Sequence, residues 1–295
     1  MANTRKGVQI RAMRVDDVAA AETLSAASYG TGAVASPVPV PARDTQDGAV
    51  WRQRTHHLLN TDPGGCWVAE IDGVLVGFAV GFVRELMWIL ASYAVLPSHQ
   101  GQGIGREMLR AAAQHGRGCL RSMLISSADP GSARRYRAAG FDLHPLMHMS
   151  GAVDRTTLPI TDRIREGTSA DADLMDSVDR RIRGAAHGPD HHLLLESLRL
   201  IIVDRSTGSG YAYLTPEDGP ALLAATNRRT ATDLLWEALA ATPPGAGLRV
   251  GRITAANQWA IEVGLAAGLA LNQSGYLGVR RLKPPAPYLP HQTLL

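Results

Sequence analysis

Residues 95–105, Val-Leu-Pro-Ser-His-Gln-Gly-Gln-Gly-Ile-Gly, constrain the fold more than any other stretch of this 295-residue chain. The run before them, 86–95, is short and almost wholly apolar, which predicts a buried strand. After them Ile104, Met108, Leu109 and Ala112 recur at the spacing of one helix face. A strand therefore enters a turn punctuated by glycines at 101, 103 and 105 and leaves it as a helix. The first N–H groups of that helix lack intrahelical partners and lie at the positive end of its dipole, so the turn suits an anion such as a phosphate. Glycine removes the Cβ atoms that would hold a phosphate away from those amides. The order Gln100-Gly101-Gln102-Gly103-Ile104-Gly105 is neither the Gly-x-Gly-x-x-Gly dinucleotide fingerprint nor the Gly-x-x-x-x-Gly-Lys-Ser/Thr nucleotide loop.

A second element follows at about the distance one more strand requires. Residues 119–126 read as a strand and 130–139 as a helix, which carries Asp129-x-x-Ser132-x-x-Arg135-Tyr136-x-x-x-Gly140-Phe141. The two stretches together resemble the acyl-CoA motifs of the GNAT N-acetyltransferase superfamily. There the loop runs Val-x-Pro, two residues, then Arg/Gln-Gly-x-Gly-x-Gly/Ala, and the later helix Asn-x-x-Ala-x-x-x-Tyr-x-x-x-Gly-Phe. The resemblance implies an α/β (α+β) fold, a mixed and mostly antiparallel sheet flanked by helices, with two strands splaying at the acyl-CoA site. It implies acetyl-CoA as acyl donor, with Ala94 and Val95 at the thioester carbonyl. Gln100, Gly101, Gln102, Gly103, Ile104, Gly105 and Arg106 would surround the pyrophosphate, and Asp129, Ser132 and Tyr136 would line the rest of the cofactor. Tyr136 takes the place of the family's tyrosine that protonates the departing thiolate, a contribution of roughly 10²- to 10⁴-fold. Asp129 replaces the family's usual asparagine, which puts that side chain's contact in question.

The chain exceeds one such domain, and it repeats itself. Ile10-Arg11-x5-Asp17 returns as Ile164-Arg165-x5-Asp171, and Ala138-Ala139-Gly140-Phe141 as Ala266-Ala267-Gly268-Leu269. Asn257-x-x-Ala260 echoes Asp129-x-x-Ser132. A tandem duplication is expected, with a catalytic copy at 1–153, a seam near 150–159 and a degenerate copy at 160–295. In the second copy, strand-like runs at 198–204, 210–214, 221–225 and 248–254 remain. Its turn, Thr226-Asn227-Arg228-Arg229-Thr230, has no glycine, and Gly264 stands where Tyr136 stood.

Composition excludes several classes. A net charge of +3 from scattered basic residues makes no nucleic-acid stripe. The apolar stretch 74–96 carries Arg84 and Glu85 near its middle, and each costs about 2.5 to 3.5 kcal/mol at a bilayer centre, so two hairpin strands broken at those charges are expected. No membrane association is expected. The basic N-terminus has no apolar core after it, unlike a signal peptide. Two cysteines, Cys66 and Cys119, suggest neither a disulfide framework nor a zinc site, so no metal and a cytoplasmic setting are expected.

The family's acceptor-determining segment corresponds to 29–47. Pro37, Pro39 and Pro41 forbid an internal helix there and favour an extended pocket wall, lid or linker. Residues 48–60 read as a helix, on which the adjacent His56 and His57 face different directions. The strand 86–95 holds no acid to deprotonate an amine; Glu85, Ser92 and Tyr93 through water, His56 and His57 remain candidates, and the resemblance adds the carboxylate of Leu295. The expected activity is acetyl transfer to a primary amine of a small molecule or peptide within a ternary complex, by a monomer or homodimer. A non-catalytic acyl-CoA-binding module is the alternative.

Overall fold

The computed structural model describes residues 7–30, 45–161, 163–215 and 219–295. They divide into two compact units, Met1–Leu124 and Ile125–Leu295. The proline-rich segment 31–44 lies outside the described residues.

The first unit contains β1 (Val8–Ala12), α1 (Asp17–Gly30), α2 (Thr45–Thr61), β2 (Cys66–Ile71), β3 (Val74–Arg84), β4 (Met87–Val95), α3 (Ile104–His115) and β5 (Arg121–Ser126), within which the division falls. These strands are neighbours in chain order. Each pair is antiparallel except β4 and β5, which are parallel. A parallel step needs a crossover, and α3 supplies it. The expected face of α3, Ile104, Met108, Leu109 and Ala112, is buried. Gly77 on β3 admits it, since a Cβ there would stand 2.6 Å from Met108 Cε.

The hairpin breaks where the charges predict, with Glu85 exposed in the left-handed region at φ 51°. Arg84 instead turns inward and is only 6% exposed. Its Nη1 donates to the buried Asp62 carboxylate at 2.8 Å, which also accepts from the Val83 amide at 2.9 Å and pairs with His115 Nε2 at 2.9 Å. Burial pushes the Asp62 carboxyl up, but these partners outweigh it and hold its pKa below the ordinary value.

The second unit contains α4 (Pro130–Ala138), β6 (Asp142–Ala152), β7 (Arg165–Glu166), α5 (Ala172–Ile182), α6 (Asp190–Leu195), β8 (Arg199–Arg205), β9 (Gly208–Thr215), β10 (Gly219–Ala225), α7 (Arg228–Ala241), β11 (Gly247–Ile253), α8 (Gln258–Ala266), β12 (Ala270–Arg280) and β13 (Tyr288–Leu289). One sheet has the order β13-β10-β9-β8-β7. Its Ile201, Val203, Ala212, Leu214 and Leu223 form a core with Ala231, Leu234, Leu235 and Leu239 of α7. Elsewhere β6 lies between β12 and β11, antiparallel to both. That pairing places residues 142–152, which sequence order attaches to the first copy, inside the second unit.

The repeated motifs fold alike. Arg11 Nη1 meets Asp17 Oδ2 at 2.7 Å while the Arg14 amide donates to the same oxygen at 2.7 Å. Arg165 Nη2 meets Asp171 Oδ1 at 2.5 Å while the Thr168 amide donates to Oδ2 at 2.9 Å. Helices α4 and α8 also end alike. Gly140 and Gly268 have φ of 85° and 81°, and the next amides, of Phe141 and Leu269, reach back to the Tyr136 and Gly264 carbonyls at 3.1 and 2.9 Å.

Candidate functional site

In the first unit the site begins where β4 loses its neighbour. The ladder between β4 and β5 runs from Met87–Arg121 to Leu90–Leu124 and stops, while β4 continues to Val95. On its other side β4 stays paired with β3, although Val80 faces Ser92 and Gly81 faces Leu90, so Ala91 is a bulged extra residue. Residues 91–95, including Ala94 and Val95, thus present backbone amides and carbonyls beyond the end of the β5 ladder. An extended chain containing amides can add itself to such an edge.

The turn that follows is tied to the strand it leaves. Gln100 Nε2 donates to the Val95 carbonyl at 3.0 Å, and Gln102 Nε2 to the Ser98 carbonyl at 3.4 Å. Gly101 and Gly103 have φ of 74° and 89°, and no atom lies within 4 Å of a Cβ built on either. Gly103 is the N-cap of α3. The Glu107 amide bonds back to the Gly103 carbonyl at 3.3 Å, so the amides of Ile104, Gly105 and Arg106 precede the first intrahelical bond. Ile104 and Gly105 are buried and anchor the turn, whereas Gln100, Gly101, Gln102 and Arg106 are exposed. Nine of the expected cofactor contacts, Ala94, Val95 and 100–106, therefore share one strand, turn and helix start, with an open face in front of it.

The remaining three, Asp129, Ser132 and Tyr136, come together on α4 in the second unit. Asp129 Oδ2 accepts from the Ser132 amide at 2.6 Å, so the carboxylate caps its own helix, as an asparagine there would also do. Tyr136 is 5% exposed, and its ring meets the edge of Phe141 with centroids 6.3 Å apart. Of the candidate bases, Glu85 is exposed at the hairpin turn, Ser92, His56 and His57 are half-buried, and Tyr93 is buried.

Residues 219–264 of the second unit, the expected counterpart of this site, differ at each point. The edge of β10 is paired by β13, Leu223 with Leu289 and Ala224 with Tyr288, and the Ala225 amide reaches the Pro287 carbonyl at 3.3 Å. Asn227 caps α7 by accepting from the Thr230 amide at 2.9 Å, and Arg228 pairs with Glu262. At Gly264 a Cβ would stand 2.2 Å from Met149 Sδ, so no tyrosine fits where the repeat would place one. Sequence reading passed over the closing role of β13, because two residues after a proline run carry no strand signal. It also passed over a buried histidine and aspartate cluster in the second unit, for which His187-x-x-x-His191 was the available clue.

No helix among the described residues is long and apolar enough to cross a membrane. Neither cysteine forms a disulfide, and burial pushes the Cys66 thiol up to about 12.

Residues 35–141 match the sequence profile of the acetyltransferase (GNAT) family. Among solved structures, the chain is similar to a provisionally assigned acetyltransferase of Pyrococcus horikoshii, with a TM-score of 0.75 at 16% identity over 99% of this chain and 97% of the other. A GCN5-related N-acetyltransferase of Sphaerobacter thermophilus gives 0.60 at 14% identity over 94% and 96%. One from Kribbella flavida gives 0.59 at 13% identity over 92% and 70%. No curated protein matches the sequence. The chain has the α/β fold of these acetyltransferases, and its residues 35–141 match the family's sequence profile.

Proposed function

We propose that residues 1–153 carry an N-acetyltransferase, moving an acetyl group from acetyl-CoA to a primary amine of a small molecule or peptide, and that 160–295 are a degenerate second copy that binds no acyl-CoA. The observation that carries this reading is the end of β4, which runs past its last β5 partner directly into the glycine turn. Pantetheine is an extended chain with two amides, and it ends on a pyrophosphate. Strand edge, turn and helix start offer partners in that same order: ladder amides at 91–95, then helix-start amides at 104–106.

The chemistry is direct attack in a ternary complex. The thioester carbonyl accepts from backbone N–H at Ala94 or Val95, which stabilises the oxygen as it gains charge. The lone pair of the neutral amine forms the C–N bond, the C–S bond breaks, and Tyr136 gives its phenolic proton to the departing thiolate. The acceptor ammonium first loses a proton to Glu85, His56 or His57, to water held by Ser92 and Tyr93, or to the carboxylate of Leu295. A reducing cytoplasm and a monomer or homodimer complete the reading.

The second reading, a module that holds acyl-CoA without processing an acceptor, draws on the lack of any carboxylate along β4. Thiol release from acetyl-CoA, followed with a panel of primary amines, separates the two. Amine-dependent release supports the transferase; one equivalent of CoA bound with no release above buffer supports the module.

A further inference from the structure

The second unit encloses a polar cluster that the acetyl-transfer chemistry does not use. Asp179 on α5 and His187 are wholly buried, and His191 on α6 is 3% exposed. One ligand-type atom from each lies within 4.8 Å of the other two. Asp176, one turn before Asp179, joins them, with Oδ1 3.3 Å from His191 Nε2.

The contacts behind these groups aim them at a common point. Tyr211 donates to Asp179 Oδ1 at 2.6 Å, leaving Oδ2 to face His187 Nδ1 at 2.6 Å and His191 Nε2 at 3.4 Å. The Tyr213 hydroxyl meets His191 Nδ1 at 3.1 Å, which fixes the ring and turns Nε2 towards both carboxylates. His191 Nε2 lies within reach of both oxygens yet has no hydrogen bond of good geometry to either. A nitrogen close to two carboxylate oxygens but directed at neither is the arrangement of ligands around a shared ion. Four-coordinate zinc, with bonds near 2.0–2.1 Å, sets its ligand atoms about 3.3–3.4 Å apart. The two distances from His191 Nε2 match that spacing, while the 2.6 Å contact between His187 Nδ1 and Asp179 Oδ2 would open by roughly 0.7 Å.

We propose that Asp179, His187 and His191, with Asp176 as fourth ligand, form a zinc(II) site. It joins α5, α6 and the segment between them, while Tyr211 and Tyr213 of β9 support it as outer-shell partners. Its role is structural, since Asp179, His187 and His191 are withdrawn from solvent and Asp176 fills the fourth position.

The test uses the full chain, stripped with a chelator and dialysed. Zinc(II) alone should bind at about one equivalent by elemental analysis and raise Tm by roughly 5 to 10 °C at a hundredfold excess over Kd. Cobalt(II) in its place should show the intense visible bands of a four-coordinate ion. His191→Gln should abolish tight zinc uptake, whereas His192→Gln should keep it, because the neighbouring His192 is 83% exposed and only pairs with Glu196. Should His191→Gln not fold, the stoichiometry and cobalt spectrum of the unmodified chain decide alone. Zinc well below one equivalent in that chain, cobalt bands of a six-coordinate ion, or unchanged uptake in folded His191→Gln would overturn the proposal and leave a proton on His191 as the cation of the cluster.

Discussion

Replacing Gly103 with valine separates the cofactor role of the turn from its role in the fold. Gly103 caps α3 at φ 89°, where an L residue costs about 1–2 kcal/mol, and a β-branched one lies at the upper end. No protein atom lies within 4 Å of the new Cβ, so backbone strain is the whole structural cost. For a chain of this size that lowers Tm by roughly 2 to 8 °C, and the variant stays folded. The new side chain stands in open space at the N-cap, directly before the amides of 104–106 in the chain, and on the proposed reading it crowds the phosphate oxygens. Losing even one charge-assisted hydrogen bond there costs about 1.5–3 kcal/mol, or roughly 10- to 150-fold in Kd. Titration calorimetry with acetyl-CoA gives the affinity, and scanning calorimetry on the same sample gives the fold. A variant that melts within this range yet binds acetyl-CoA with unchanged affinity would refute the assignment of the turn.

Tyr136→Phe keeps the ring against Phe141 and removes only the proton donor, so kcat and kcat/KM should fall together by roughly 10- to 10³-fold with acetyl-CoA affinity nearly unchanged; a change confined to KM would make Tyr136 a binding contact instead. Saturation should occur at one CoA per chain, because β13 closes the β10 edge and Met149 fills the Gly264 position; two equivalents by equilibrium dialysis would refute that. Asp62→Ala leaves the buried Arg84 guanidinium without its carboxylate and should cost about 3–5 kcal/mol in urea unfolding; a loss below about 1 kcal/mol would show that the knot is not holding the hairpin. Since the folded pKa of Asp62 is lowered, its contribution is complete above its ordinary value of 3.8 and disappears as pH falls through the lower folded value, so the difference between wild type and Asp62→Asn should shrink in acid.

What could be read from the sequence was local. Periodicity found α3 and its buried face, and two charges inside an apolar run placed the β3–β4 turn, because both signals act over a few residues. The charges did not reveal that Arg84 would point inward, since its partner Asp62 lies 22 residues away. The glycine spacing marked the turn, but the other half of the site, five residues of β4 extending past the last β5 partner, is a property of strand pairing. Asp129 shows a local role besides the motif: its carboxylate caps α4. The placement of β6 between β11 and β12, and the meeting of α5, α6 and β9 residues around Asp179, are long-range events to which no short pattern corresponds.

The most direct test of the central claim is to follow an acetyl group labelled with carbon-13 from acetyl-CoA in a single-turnover reaction with a panel of primary amines. The account predicts that the label appears as an amide on at least one amine, in step with stoichiometric thiol release. Acetyl-CoA bound at one equivalent, with its label still on the thioester for every amine after the uncatalysed background is subtracted, would contradict it.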